Sequence, residues 1–366
     1  MQEDKPFGAV INRLIHKQEL TRAETRAAFT HVLNDAVAPL QQGAFLAALR
    51  AKGETAGEVA GAWDAIYAHD TVKVSIAERG PLVENSGTGM DSFKTFNIST
   101  ASAIVAAAAG VSMARHGARA ITSACGTVDM AETLGVDVGC PADLVVRSII
   151  DVNIGLFNGM SPAIHPRALG RILSQIHFGS TLNIAASLAN PAMPRHGIRG
   201  VHDPEMIMPV IQVMKAIGYQ RALVFHGEVA GTDKGMDEAS VCGITRGAEL
   251  TADGAIRPFT LEPLHLGMAV HDPAELIPES DLASEARRFV ALIRGKENGR
   301  SARRQAVLLN TALILKVAGE AEALDAGMGL AAATIDSGKA YGTLEKWVAS
   351  QNRTPDEGLA RLRRLL

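Results

Sequence analysis

A small all-helical domain followed by a larger α/β domain with a mostly parallel central sheet flanked by helices is the fold class this sequence predicts. Three observations carry the prediction. Residues 1–70 show helical periodicity and helix-start signals, with Pro and Gly only at the joints. From about residue 80, short apolar stretches alternate with Gly-rich turns and helical runs, the pattern of a parallel sheet covered on both faces. The 366 residues are 47% apolar but only 4% aromatic, so a large core must be built from Ala, Val, Ile and Leu.

The elements follow in order. Phe7, Val10, Ile11, Leu14 and Ile15 recur at helical spacing and predict a first helix. Thr21 with Glu24 forms a capping box for the second, a third near 39–52 stops at Gly53, and Thr55 with Glu58 opens a fourth. The exposed apolar face of this bundle reads as a dimer seam. Strands are expected over 82–86, 111–115 and 221–227, with helices over 98–109, after Gly126 and over 203–217. Residues 243–262, around "ADG", read as a short β excursion, and helices return from Asp281. Residues 165–190 read as two helices that join the small domain. The expected boundaries are therefore 1–75 plus about 165–190 for the helical domain, and 76–366 for the α/β domain.

Charge and composition exclude several roles. A formal net charge of −3 without a basic or acidic block argues against nucleic-acid binding and against a membrane surface. The start, MQEDKPFGAV, lacks the basic flank and apolar core of a signal peptide. The longest apolar stretch, around 101–114, is too short and too rich in Ala and Ser to span a bilayer. Cys125, Cys140 and Cys242 have no metal-like spacing and read as free thiols, so a cytoplasmic location is expected.

Three segments carry chemistry. "NSGTGMDSFKTFNISTASA" places Gly87 and Gly89, with the polar side chains of Thr88, Asn97, Ser99 and Thr100, before an Ala-rich helix. Helix N-termini leave backbone N–H groups unpaired, so this segment reads as a phosphate cradle, or else as a mere turn before the helix. "ARHGARAITSACGTVDMAETLG" sets Arg115 and Arg119 around His116, and Ser123, Gly126 and Thr127 before another helix. Two such helix starts would grip two phosphates of one ligand, although the two arginines also fit a surface pair. "GMDEASVCG" brings Asp237 and Glu238, which suit a hard cation such as Mg²⁺ bridging to phosphate, or else a helix cap in a solvated turn.

These segments, with "HP" at 165–166, "NP" at 190–191, "GAFLAALRAKGET" and "LLNTALILKVAG", run in order over nearly the whole chain. Together they resemble the anthranilate phosphoribosyltransferase family. The resemblance implies Mg²⁺-dependent transfer of the phosphoribosyl group of phosphoribosyl pyrophosphate to anthranilate or a related small aromatic acceptor, with release of pyrophosphate, by a homodimer. It assigns donor binding to Gly87, Thr88, Gly89, Asp91, Thr95, Asn97, Ser99, Thr100, Arg115, Ser123 and Gly126, and Mg²⁺ to Ser99, Asp237 and Glu238. It gives the acceptor to His116, Ala118, His165, Arg171 and Gly179, and names no catalytic base. Pyrimidine nucleoside phosphorylases share the fold, so phosphorolysis is the rival activity; a non-catalytic nucleic-acid-binding homologue is a third reading.

The departures from the family pattern concentrate in two places. Met90 and Ser92 replace glycines of the first loop, which is expected to restrict its conformations. Arg115 stands where the family has Lys, Ala118 where it has an acceptor-facing Asn, and Gly179 where an Arg pairs with anthranilate's carboxylate. Arg167 or Arg171 is the expected substitute for that Arg. The loop "EVAGTDK" before Gly235 reads as longer than the family's.

Overall fold

The computed structural model describes residues 4–76, 80–119 and 125–366. The chain opens with α1 (Asp4–Ile15), α2 (Arg22–Leu33), α3 (Pro39–Lys52) and α4 (Ala56–His69). It continues with β1 (Leu82–Ser86), α5 (Ile98–Ala108), β2 (Ser112–Gly117), α6 (Thr127–Thr133), α7 (Ala142–Val152) and β3 (Ile154–Asn158). Next come α8 (Leu169–Ile176), α9 (Thr181–Ser187), β4 (His196–Gly200), α10 (Ile207–Ala216), β5 (Arg221–Glu228) and β6 (Gly235–Met236). The hairpin β7 (Thr245–Leu250) and β8 (Ile256–Leu261) precedes α11 (Leu282–Ile293), α12 (Ala302–Ala318), α13 (Leu324–Asp336), α14 (Lys339–Ser350) and α15 (Pro355–Arg363).

One compact unit is helical: the chain up to Val74, with Gly159–Met193 and Gln212–Gly218. Both capping boxes are present, Thr21 with Glu24 and Thr55 with Glu58. Gly53 ends α3 at φ 87°, a conformation that Gly adopts without a Cβ penalty. Phe7, Phe29 and Phe45 form its aromatic centre, with ring centroids 5.4 and 5.2 Å apart. Asp70, fully buried, accepts from the backbone N–H groups of Arg167, Ala168 and Leu169 at 2.6–2.9 Å. It thereby caps α8 from outside that helix, supplying acceptors for donors the first turn leaves unpaired.

The second unit, Ser75–Asn158, Pro194–Ile211 and Tyr219–Leu366, is built on one sheet. The strand order is β3-β2-β1-β4-β5-β7-β8, with β6 paired to β5. The first five are parallel, and β6, β7 and β8 join antiparallel. β3, "IGLFN", is a short and wholly buried strand that the sequence reading did not separate from its neighbours. Such a strand lacks polar alternation, so periodicity does not identify it. The Ala-rich α5 is buried along almost its entire length, and α12 is likewise buried. The small side chains of α5 let it lie close to α12, where Thr311 Oγ1 donates to the Ser102 carbonyl at 3.5 Å.

Candidate active site

In an open parallel sheet, ligands collect beyond the carboxyl ends of strands where the strand order reverses direction. Here that point lies between β1 and β4, which are neighbours although β2 and β3 intervene in sequence. β1 runs directly into Gly87–Gly89, and β4 into Val201 and His202. The segment carrying Asp237 and Glu238 crosses the same end of the sheet. A Cβ on Gly200 would collide with the Asp237 carbonyl oxygen, and one on Gly87 with its carboxylate. Glycine at both positions is what lets the acidic segment seat against the strand ends.

The carboxylates then join the two halves of the first loop. Asp237 Oδ2 accepts from the Gly89 N–H at 2.6 Å and from the Thr88 hydroxyl at 3.3 Å. Glu238 Oε1 accepts from the Ser99 N–H at 3.0 Å, at the start of α5. Both are 8% exposed. His202 Nδ1 lies 3.2 Å from Thr88 Oγ1 on the β4 side. Lys94 Nζ donates to Asp91 at 2.8 Å and to the Gly89 carbonyl at 3.2 Å.

Three acidic side chains so close, with little water, repel one another. Burial first, and then the Asp237 charge, push the Asp91 carboxyl up to about 6 despite its Lys94 partner. Burial and the same neighbour raise Glu238 well above the usual carboxylate range, with Arg115 opposing. This surplus of negative charge is the condition under which a divalent cation gains most.

Arg115, which the resemblance assigns to donor binding, lies beneath the first loop. Its guanidinium is 1% exposed and is held from behind the cradle. Nε donates to Asn85 Oδ1 at 2.9 Å, Nη1 to Thr100 Oγ1 at 2.9 Å and Nη2 to Ser99 Oγ at 3.2 Å. Burial brings this group down to about 10, with Glu238 the first of the charges that oppose the drop. Asn85 completes the arrangement by donating to the Ser99 carbonyl at 2.7 Å. The reading of residue types passed over Asn85 and His202; a polar Asn inside a buried strand was the available signal for the first.

Met90 and Ser92 stand where the resemblance leads one to expect glycine. Neither adopts positive φ, and the loop's one such residue is Gly89 at 68°. Replacing the family's glycines therefore introduces no backbone strain. Met90 is exposed, and Ser92 Oγ accepts from the Gly235 N–H at 3.0 Å, tying the loop to the strand before Asp237. The "EVAGTDK" segment closes as the β5–β6 hairpin turn, with Val229 N–H donating to the Lys234 carbonyl at 3.1 Å.

The other expected residues fall as follows. Thr95 is half-buried in the turn before α5, and Asn97 Nδ2 donates to the Cys125 carbonyl at 3.3 Å, next to Gly126 at the head of α6. Ser123 lies outside the described residues. Arg119 is the exposed arginine, paired at the surface with Asp129 and Glu132 at 2.8 and 2.7 Å. His116 and Ala118 sit at the end of β2, the first buried and the second half-buried.

His165, Arg171 and Gly179 belong to the helical unit. His165 is buried, and its Nδ1 donates to the Asp70 carbonyl at 2.6 Å. Arg171 donates to the Val32 carbonyl at 2.9 Å and to Gln42 at 3.2 Å, and pairs with Asp35 at 3.2 Å. Gly179 is exposed between α8 and α9, and a Cβ there would meet nothing within 4 Å.

Among the described residues no helix is long and apolar enough to cross a membrane. Residues 9–70 match the helical bundle domain of a glycosyl transferase family, and residues 79–341 match the a/b domain of a glycosyl transferase family. The chain is 38% identical over 343 residues to an anthranilate phosphoribosyltransferase of Anaeromyxobacter sp. (strain K), covering 93% of this chain and 97% of that one. Against the enzyme of the same name from Rhizobium rhizogenes the identity is 36% over 352 residues, covering 96% and 99%. The crystal structure of anthranilate phosphoribosyltransferase from Thermus thermophilus superposes with a TM-score of 0.82 at 29% identity, over 93% of this chain and 99% of that one. The Saccharomyces cerevisiae enzyme, solved in complex with PRPP and Mg, shares the fold at a TM-score of 0.81 and 22% identity, over 95% of this chain and 98% of that one. Identity at this level over nearly the full length, on the same two-part architecture, makes the chain a member of the anthranilate phosphoribosyltransferase family.

Proposed function

We propose that this chain transfers the phosphoribosyl group of phosphoribosyl pyrophosphate to the amine of anthranilate or a closely related aromatic acid, releasing pyrophosphate. The observation that carries the reading is the junction made by Asp237 and Glu238, which bonds the Gly87–Gly89 turn and the Ser99 turn into one polar cradle. The relatives' shared name supplies the reaction.

The donor set fits Mg²⁺. Among the described residues no three His, Cys, Asp or Glu side chains form a site of their own. Asp237 and Glu238 are hard oxygen donors beside the first loop, and Mg²⁺ takes one or two carboxylates and completes its shell with water and substrate phosphate. Asp237, Glu238 and the Ser99 hydroxyl would hold it. When bound, Mg²⁺ neutralises charge that develops on the departing pyrophosphate.

The chain's own residues do the rest by position and polarity. The backbone N–H groups of the first loop and of the α5 N-terminus other than those of Gly89 and Ser99, which donate to Asp237 and Glu238, favour phosphate oxygens. Arg115 and Asn85 hold the Ser99 turn in place, so little reorganisation accompanies charge transfer. Bond breaking at the anomeric carbon builds positive charge on the sugar and negative charge on the departing pyrophosphate. No general base is assigned: an aromatic amine attacks as the neutral species and loses its proton afterwards. Homodimer formation and a cytoplasmic location belong to the same proposal and rest on the family likeness.

The test is to mix the protein with phosphoribosyl pyrophosphate, Mg²⁺ and anthranilate, and to follow anthranilate fluorescence and pyrophosphate together. Stoichiometric loss of one and gain of the other is expected. Turnover only with inorganic phosphate and a nucleoside would replace this reading with phosphorolysis. A DNA band shift at physiological salt without donor binding would replace it with a nucleic-acid-binding role.

A further inference from the structure

Asn310 lies in the middle of α12, fully buried beside Leu308, Leu309, Thr311 and Ala312. A polar amide there requires partners, and all come from backbone. Its Oδ1 accepts from the Ala239 N–H at 2.9 Å, and its Nδ2 donates to the Ala239 carbonyl at 3.0 Å and to the Ala306 carbonyl at 2.9 Å. One side chain thus pairs both backbone groups of Ala239, as a neighbouring strand would. Ala239 directly follows Asp237 and Glu238. On its other side, Ser240 N–H donates to Thr245 Oγ1 at 2.8 Å, and Ser240 Oγ donates to the Glu228 carbonyl at 2.7 Å. The acidic pair is therefore pinned immediately downstream by an amide anchored in the most buried helix of the unit.

We infer that Asn310 is a positioning residue for the cation-binding carboxylates: by clamping Ala239 it fixes the backbone from which Asp237 reaches the Gly87–Gly89 turn and Glu238 reaches Ser99. The inference rests on the phosphoribosyl-transfer reading, and its test separates the two. Asn310→Leu keeps the volume and removes both bonds to Ala239; Asn310→Asp keeps only the acceptor for its N–H. Thr311→Val, next on the same buried helix, is the packing control. Mn²⁺ binding in the presence of phosphoribosyl pyrophosphate is read by electron paramagnetic resonance, and hydrogen exchange over residues 236–243 is read without ligands.

For Asn310→Leu, Mn²⁺ affinity should fall about 10- to 100-fold, the usual cost of losing a partner that orients ligands. Exchange should accelerate across 236–243 while the rest of α12 stays protected. Asn310→Asp should fall between, and Thr311→Val should bind Mn²⁺ as the wild type does. Unchanged exchange at 236–243 in Asn310→Leu would overturn the inference, as would equal Mn²⁺ losses in Asn310→Leu and Thr311→Val. A wild-type chain that binds no Mn²⁺ with the donor would overturn the functional reading and the metal part of this inference, while the exchange result would still judge the clamp.

Discussion

At the scale of single residues, space and charge separate positions that look alike in sequence. Gly200 and Gly179 are both glycines near motif positions, yet a Cβ on the first strikes the Asp237 carbonyl and one on the second meets nothing. Gly200→Ala is therefore expected to cost about 1–3 kcal/mol or more, as overpacking against backbone does, and to weaken donor binding. Gly179→Ala should stay within about 0.5 kcal/mol of the wild type, as open surface positions do. Thermal melts with and without donor distinguish them. Gly179→Arg has room to fold, and if the acceptor is a carboxylate that lacks its usual bidentate partner, its KM for anthranilate should drop; an unchanged KM would assign carboxylate recognition elsewhere. His165 gives a pH prediction. Burial holds its imidazole below the ordinary range, opposed by its bond to Asp70. On acidification the unfolded chain takes up this proton first, so stability is lost as pH falls below about 6.5. Asn in its place keeps a donor for the Asp70 carbonyl and does not titrate. The Tm of His165→Asn relative to the wild type should rise between about pH 7.5 and about pH 5. The glycines that mattered most, 87 and 200, could be counted in the sequence but not ranked, because what decides them is an atom more than thirty residues away.

At the scale of elements, caps and buried pairs govern the stability of individual helices. Thr55→Ala removes the side-chain acceptor for Glu58 N–H at the head of α4 and should cost about 1 kcal/mol in denaturant unfolding. The Arg303–Glu285 pair between α12 and α11 is nearly inaccessible and bidentate, at 2.7 and 3.0 Å. Arg303 also donates to the Ile277 carbonyl at 2.7 Å and lies 4.6 Å from the Phe96 ring centroid, two residues before α5. Arg303→Met leaves a buried carboxylate unpaired and should cost about 3–5 kcal/mol, whereas a double change with Glu285→Leu should recover much of that loss. Elements with local signatures were legible in advance. The two capping boxes, the Gly53 stop and the hairpin around "ADG" each depend on a few adjacent residues. β3 was not legible, because a five-residue strand buried on both faces carries no alternation.

At the scale of the whole molecule, donor and cation should act together. Each supplies charge the other lacks, so phosphoribosyl pyrophosphate with Mg²⁺ should raise Tm by more than the sum of the separate additions. Saturation at a hundred times Kd corresponds to about 2.7 kcal/mol of added stability. Equal shifts in the presence of a chelator would count against a metal at Asp237 and Glu238. The sequence by itself determined the fold class, the capped helices of the first domain and which loops are rich in glycine and hydroxyl groups, because periodicity, caps and Gly-rich turns are set by neighbours along the chain. Only the tertiary structure decided which members of those loops meet. Asp237 bonds Gly89 across 148 residues, Glu238 bonds Ser99 across 139, and Asn310 reaches Ala239 across 71. The sheet order that brings β1 beside β4 creates those meetings, and Arg115 becomes an internal brace because burial and hydrogen-bond geometry, rather than its residue type, direct where its charge can go.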